Sequence, residues 1–268
     1  MKDKRVLVIS SEVMPYMPDS DISLMSFETA KIAHKKSIQT RIFMPRFGVV
    51  NERRHQLHEV IRLSGVNLII DDIDVPLVIK VASIPKERMQ VYFIDNEDYF
   101  KRKFVYTDAK GKLFDDNDER AIFFTKGVIN TVKKLNWAPD VIYLHGWFTS
   151  LIPLYLKEYY KDDALFKESK IVTSLYNDSF KGELSKSLSK KITFDNIEIE
   201  KLDLIKKSSF TNIQKLAVQH SDFIIFGSED VSDEIKEFVK KSGKTTLEYQ
   251  SKEDFEKPYT DFLLNKIM

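Results

Sequence analysis

The sequence predicts an α/β protein, a mainly parallel sheet with helices on both faces. Short apolar runs recur along the chain: RVLVIS (5–10), TRIFMP (40–45), VIYLH (141–145), KIVTSLY (170–176) and DFIIFGS (222–228). Continuous apolar runs of this length suit strands buried on both faces. Amphipathic helical segments separate most of them, and repeated strand–helix–strand order implies parallel pairing with crossover helices. A hydrophobic content of 43% over 268 residues allows a substantial core, in one large α/β domain or two small ones. No internal repeat and no interdomain linker is visible, so residues 1–268 are read as one Rossmann-like domain.

The elements follow in order. Strand 5–10 leads into a helix over 22–36 with apolar Ile22, Met25, Ala30 and Ala33, and strand 40–45 is closed by Pro45. Three β-rich runs between about 66 and 96 read as a hairpin or edge-strand insertion rather than βαβ units. A long helix spans 116–135, with aspartates before its start and Lys133 and Lys134 near its end, as the helix dipole favours. Pro139 ends it, and strand 141–145 follows. WFTSLIPLYLKEYY is helical, with Pro153 in its first turn. After strand 170–176 comes a helix through LAVQHS, strand 222–228, and a helix over 229–243 that stops at Gly243. The last segment, 255–267, is expected to form a helix that packs back on the domain.

Composition excludes several functions. Lys+Arg 42 against Asp+Glu 41 leaves +1, so no net field steers the chain to nucleic acid or to a membrane surface. Zero cysteines remove disulfides, thiolate catalysis and thiolate metal sites. The apolar run near the N-terminus ends at Glu12, too short for a signal peptide, and no window reaches membrane-span length. A soluble cytoplasmic protein is expected.

Ligands of such sheets sit beyond the carboxyl ends of the strands, which points to the residues after Ser10, Leu144, Thr173 and Gly227. The eight glycines are all far apart, so neither G-x-G-x-x-G nor G-x-x-x-x-G-K is present, and no Gly-rich phosphate cradle with them. In the first turn Pro18 lacks an N–H, while Asp19 and Asp21 put carboxylates where a phosphate would sit. Asp19, Ser20 or Asp21 would serve as a helix N-cap. His145, at the end of a buried strand, is the best-placed acid/base or sugar-binding candidate. His55 and His58 have metal-compatible spacing without a third ligand, and 181–191 reads as a solvated basic loop. There is no Ser-His-Asp set and no nearby carboxylate pair. No metal and no cofactor are assigned.

Six blocks together carry a resemblance: RVLVISSEVMPY, TRIFMPRFG, VYFIDNEDYFKRKFVYTDAKGK, DDNDERAIFFTKGV, PDVIYLHGWFTSLIPLYLK and LAVQHSDFIIFGSEDVSDEI. In this order the chain, up to about Ile235, resembles bacterial glycogen synthases and plant starch synthases. Those enzymes transfer glucose from ADP-glucose to an α-1,4-glucan with retention, in a cleft between two Rossmann-like domains. The resemblance is to the N-terminal domain only. The half that holds most of the donor is not expected in this chain.

The resemblance also exposes departures. The family's Lys-x-Gly-Gly-Leu phosphate motif aligns with Pro18, Asp19, Ser20, Asp21 and Ile22, and its following acidic residue with Leu24. Its His-Asp-Trp-His-Thr block aligns with His145-Gly146-Trp147-Phe148-Thr149, and Thr-Ile-His-Asn with Ser174-Leu175-Tyr176-Asn177. Phe180 and Gly182 fit the aromatic residue and glycine that follow. The resemblance therefore implies a degenerate phosphate turn (Pro18, Asp19, Ser20, Asp21), with His145, Trp147, Tyr176 and Asn177 as substrate-binding candidates. His145 is the one vestigial catalytic candidate. The expected function is that of a non-catalytic relative that binds an α-glucan or a protein of glycogen metabolism. The alternatives are a synthase half completed by a separate donor domain, or a ligand-free scaffold that forms homo-oligomers.

Overall fold

The computed structural model describes residues 4–18 and 20–268. In chain order the elements are β1 (Arg5–Ser10), α1 (Asp21–Lys35), β2 (Gln39–Pro45), β3 (His58–Glu59), β4 (Val66–Ile70), β5 (Ile73–Ser83) and β6 (Gln90–Asp95). They continue with α2 (Glu97–Phe100), α3 (Asn117–Lys134), β7 (Val141–His145), a 3-10 turn (Trp147–Thr149), α4 (Ile152–Leu154) and a π-turn (Tyr155–Tyr159). Then come β8 (Lys170–Leu175), α5 (Leu188–Thr193), a 3-10 segment (Ile199–Lys206), α6 (Phe210–His220), β9 (Phe223–Phe226), α7 (Asp233–Ser242), β10 (Thr245–Leu247) and α8 (Glu256–Phe262), extended by a π-turn (Leu263–Ile267).

The strands form one sheet in the order β10-β9-β8-β7-β1-β2-β6-β5-β3, with β4 paired to β5. All pairings from β10 to β6 are parallel, and β3, β4 and β6 pair antiparallel to β5. This is the expected Rossmann-like α/β sheet. The expected insertion is a hairpin at β4 and β5, but β6 is not an edge strand. It lies between β2 and β5, with Ile42 opposite Val91. Its run VYFID is buried throughout, so burial on both faces placed it in the parallel core.

Side chains of the central strands alternate between two cores, as a period of two requires. Leu7, Ile9, Ile142 and Leu144 face α3 and α6, whereas Val6, Val8, Val141 and Tyr143 face α1 and α8. Tyr259, Phe262, Leu263 and Ile267 pack into the second core, so the C-terminal segment covers a sheet face beside α1. Lys35 pairs with Glu256 at 2.7 Å along that contact. Strand order reverses between β1 and β7, and their carboxyl ends meet there, Ser10 opposite His145. That crevice is where an open parallel sheet presents a ligand site.

Candidate functional site

The first turn starts from Ser10, whose hydroxyl donates to the carbonyl of Glu12 at 2.5 Å. Ser20 caps α1: its Oγ accepts from Ser23 N at 3.1 Å, and its carbonyl accepts from Leu24 N at 3.1 Å. The same hydroxyl donates to the Glu12 carboxylate. Burial holds that carboxyl above its usual range, and the Ser20 bond opposes the shift. Asp21, exposed at the helix start, pairs with Lys252 at 2.7 Å. One of the N–H groups that would otherwise meet an anion, that of Ser23, is thus bonded from within, and a carboxylate stands beside it. Pro18 is exposed and Asp19 lies outside the described residues.

His145 ends β7 fully buried. Its Nδ1 pairs with the Tyr176 hydroxyl at 2.7 Å, while Nε2 finds no partner among the described residues. Burial lowers its pKa to about 3, so the imidazole stays neutral across the physiological range. Tyr176, from the end of β8, is itself buried. It stands against Gly227, where a Cβ would come within 2.4 Å of its ring. Gly146 turns the chain after His145 with φ 83. A side chain there would collide with Ser11, so the aspartate of the family's block has no room.

Trp147 starts the 3-10 turn, and its backbone N–H donates to Asp178 Oδ2 at 2.8 Å. Its ring is packed against Tyr106 (4.9 Å), Phe180 (4.9 Å) and Phe148 (5.2 Å) and is only 2% exposed. It is a wall of the site rather than an open platform. Asn177 is at the surface, bonded through Nδ2 to Asp230 at 2.7 Å.

Beside Trp147 opens a cavity of about 350 Å³ whose lining includes Phe104, Tyr106, Asp178, Phe180 and Lys181. The Tyr106 hydroxyl lies next to Ser11. The two buried hydroxyls stand close enough to bond each other, and Asp178 Oδ1 is buried without a partner among the described residues. Burial pushes the Asp178 carboxyl up to about 7; the Trp147 amide opposes the shift and nearby Glu12 adds to it. The cavity thus has aromatic walls, with these oxygens buried just behind its surface.

The structure therefore gathers His145, Trp147 and Tyr176 at the switch point and leaves Asn177 at its rim. Asp178, Tyr106 and Ser11 are not foreseen from the sequence. The strand-end rule pointed to the turn holding Asp178, and Tyr106 lies in a long loop within the third of the quoted blocks, but nothing in their spacing singles out either side chain. His55 lies edge-on against Tyr16 at 4.9 Å, and no cluster of three metal-ligating side chains occurs among the described residues. The basic segment 181–191 is not all solvated. Lys191 is buried and bridges Asp118 and Glu119, both at 2.7 Å, because α5 docks it against α3. No helix among the described residues is long and apolar enough to cross a membrane.

A parallel sheet whose site lies at the β1–β7 switch point defines a Rossmann-like domain of the kind found in glycosyltransferases. The starch synthase catalytic domain family matches residues 5–248, and the chain belongs to that family. It is 32% identical over 235 residues to the glycogen synthase of Chlorobium luteolum, covering 87% of this chain and 47% of the relative. To the glycogen synthase of Chlorobium phaeovibrioides it is 33% identical over 233 residues, covering 86% and 47%. The chain thus spans about half the length of the curated relatives it matches. Its fold is similar to the catalytic domain of starch synthase IV from Arabidopsis thaliana, solved with ADP and acarbose. The TM-score is 0.75 at 15% identity, over 92% of this chain and 51% of that one.

Proposed function

We propose that this chain is a non-catalytic member of the family that holds an α-glucan in the cavity beside Trp147 and binds no nucleotide at the start of α1. One observation carries the reading: the α1 N-terminus is capped by Ser20 and flanked by Asp21, while Asp178, its buried Oδ1 unpaired, and Tyr106 line an aromatic-walled cavity. A diphosphate would meet carboxylates and an already bonded Ser23 N–H in that turn. Small rotations of the buried Asp178 and Tyr106 side chains would let glucose hydroxyls bond them while the ring face lies on the aromatic wall. The neutral, buried state of His145 supports the absence of transfer chemistry.

Co-sedimentation with glycogen tests this. The wild type is expected to pellet with glycogen, and Tyr106→Phe and Asp178→Asn to pellet several-fold less. A wild type that stays in the supernatant sinks glucan binding and moves the weight to a protein partner or a scaffold. Transfer of glucose from ADP-glucose to glycogen by the purified chain sinks the non-catalytic reading.

A further inference from the structure

At the opposite edge of the sheet, where β2 and β6 begin and β5 ends, lies a larger groove of about 830 Å³. Its lining includes His34, Arg41, Lys86 and Arg88, no carboxylate, and the apolar side chains of Ile84 and Trp137. Several cations elsewhere in the molecule meet acids: Arg46 and Lys80 on Asp95, Lys126 on Asp195 and Lys191 on Asp118. Among the described residues Arg41, Lys86 and Arg88 have no ion-pair partner. Glu87, the acid between Lys86 and Arg88, is instead drawn to Lys31 at 3.4 Å.

The groove is also held in shape. Arg41 donates from Nη1 to the Tyr92 hydroxyl at 2.9 Å and stacks over Trp137, 5.1 Å from its centroid. Arg5 lies over the same indole at 6.0 Å. Lys86 and Arg88 sit in the tight turn closed by Ile84 N–H donating to Met89 O at 2.8 Å. Both have left-handed backbone, φ 69 and 57, which glycine would adopt at lower cost.

We propose that this groove binds a small phosphorylated anion. Guanidinium forks and an ammonium group converging on a concave, acid-free surface match phosphate oxygens in charge and geometry. A net charge of only +1 and a local group of three cations rather than an extended basic stripe favour a small soluble ligand over a nucleic acid or a lipid surface. The ligand would stay at the amino ends of the strands, away from the cavity beside Trp147, so the two sites are occupied independently.

Trp137 and Trp147 are the two tryptophans of the chain, so indole fluorescence of Trp147→Phe reports the groove alone. Inorganic pyrophosphate is titrated at constant ionic strength, with isothermal titration of the wild type in parallel. A saturable response with a midpoint below ~1 mM is expected, weakened roughly fivefold in Arg88→Gln and in Lys86→Gln, both on exposed side chains. No saturation at tens of millimolar overturns the proposal, and so does an undiminished response in both variants. Binding to phosphatidylserine vesicles without binding to free pyrophosphate also overturns it. A null result with maltooligosaccharides in the same titration leaves this site untouched, because it rests on different residues.

Discussion

Asp178→Asn separates the charge of the cavity from its shape. The amide can still accept from Trp147 N–H, the bond made at 2.8 Å in the wild type, but it no longer titrates. The wild-type carboxyl is displaced from the ordinary 3.8 to about 7, chiefly by burial. At about 1.4 kcal/mol for each tenfold change in proton affinity, the ceiling on this effect is about 4 kcal/mol. Asp178 as a whole residue is partly exposed although its Oδ1 is buried, and with the resulting solvent screening the expected value is about 2 kcal/mol. Because the folded-state pKa is raised, the folded protein retains a proton that the unfolded chain releases. The resulting stability is fully present below pH 4 and is lost as pH rises through 7. The wild type should therefore fall behind Asp178→Asn as pH rises from 4 to 8, by roughly 5 °C in melting temperature over that span. Thermal unfolding of both proteins in parallel measures the difference and cancels the opposite contribution of His145, which must charge when it unfolds in acid. A difference independent of pH, or one that grows in favour of the wild type, refutes the reasoning.

Other variants probe the structure around the site. Gly227→Ala would put a methyl 2.4 Å from Cε1 and 2.5 Å from Cζ of the buried Tyr176 ring. It should cost about 2 kcal/mol in denaturant unfolding, and a smaller residue at 176 should recover part of that loss. Lys126→Met removes the partner of Asp195 Oδ1 and the donor to the carbonyl of Ile69. With Asp195 left buried on Tyr155 alone, a loss of about 3 kcal/mol is expected, and Lys126→Met with Asp195→Leu should restore most of it. The combined change Pro18→Lys, Ser20→Gly and Asp21→Gly should raise affinity for ADP at least tenfold in equilibrium dialysis. Unchanged affinity would show that the turn is not what excludes the nucleotide.

The parallel core was legible because its strands are continuous apolar runs and its helices carry polarised ends, as α3 does with Asp118 and Glu119 at one end and Lys133 and Lys134 at the other. β6 was harder to place, since a strand beside a hairpin looks the same in sequence whether it pairs outward or joins the core. The switch-point position of His145 and Trp147 followed from the strand-end rule. Their burial did not, because it depends on Tyr176 closing over His145 and on Tyr106 and Phe180 closing over Trp147. Those contacts span tens of residues and leave no periodicity. The same holds for the unpaired oxygen of Asp178 and for the ion pairs of Lys191: pairing is a property of the packed chain, not of local spacing. The amino-edge groove is drawn from residues as distant as His34, Arg88 and Trp137, and a balanced composition concealed it.

A single ¹H–¹⁵N titration, maltoheptaose first and ADP second on the same labelled sample, sets glucan binding directly against nucleotide binding. Saturable shifts at the Trp147 and Asp178 amides with maltoheptaose, followed by no movement at Ser20 through Leu24 with ADP, are the predicted result. ADP moving the Ser20–Leu24 amides while maltoheptaose leaves Trp147 unchanged would contradict it.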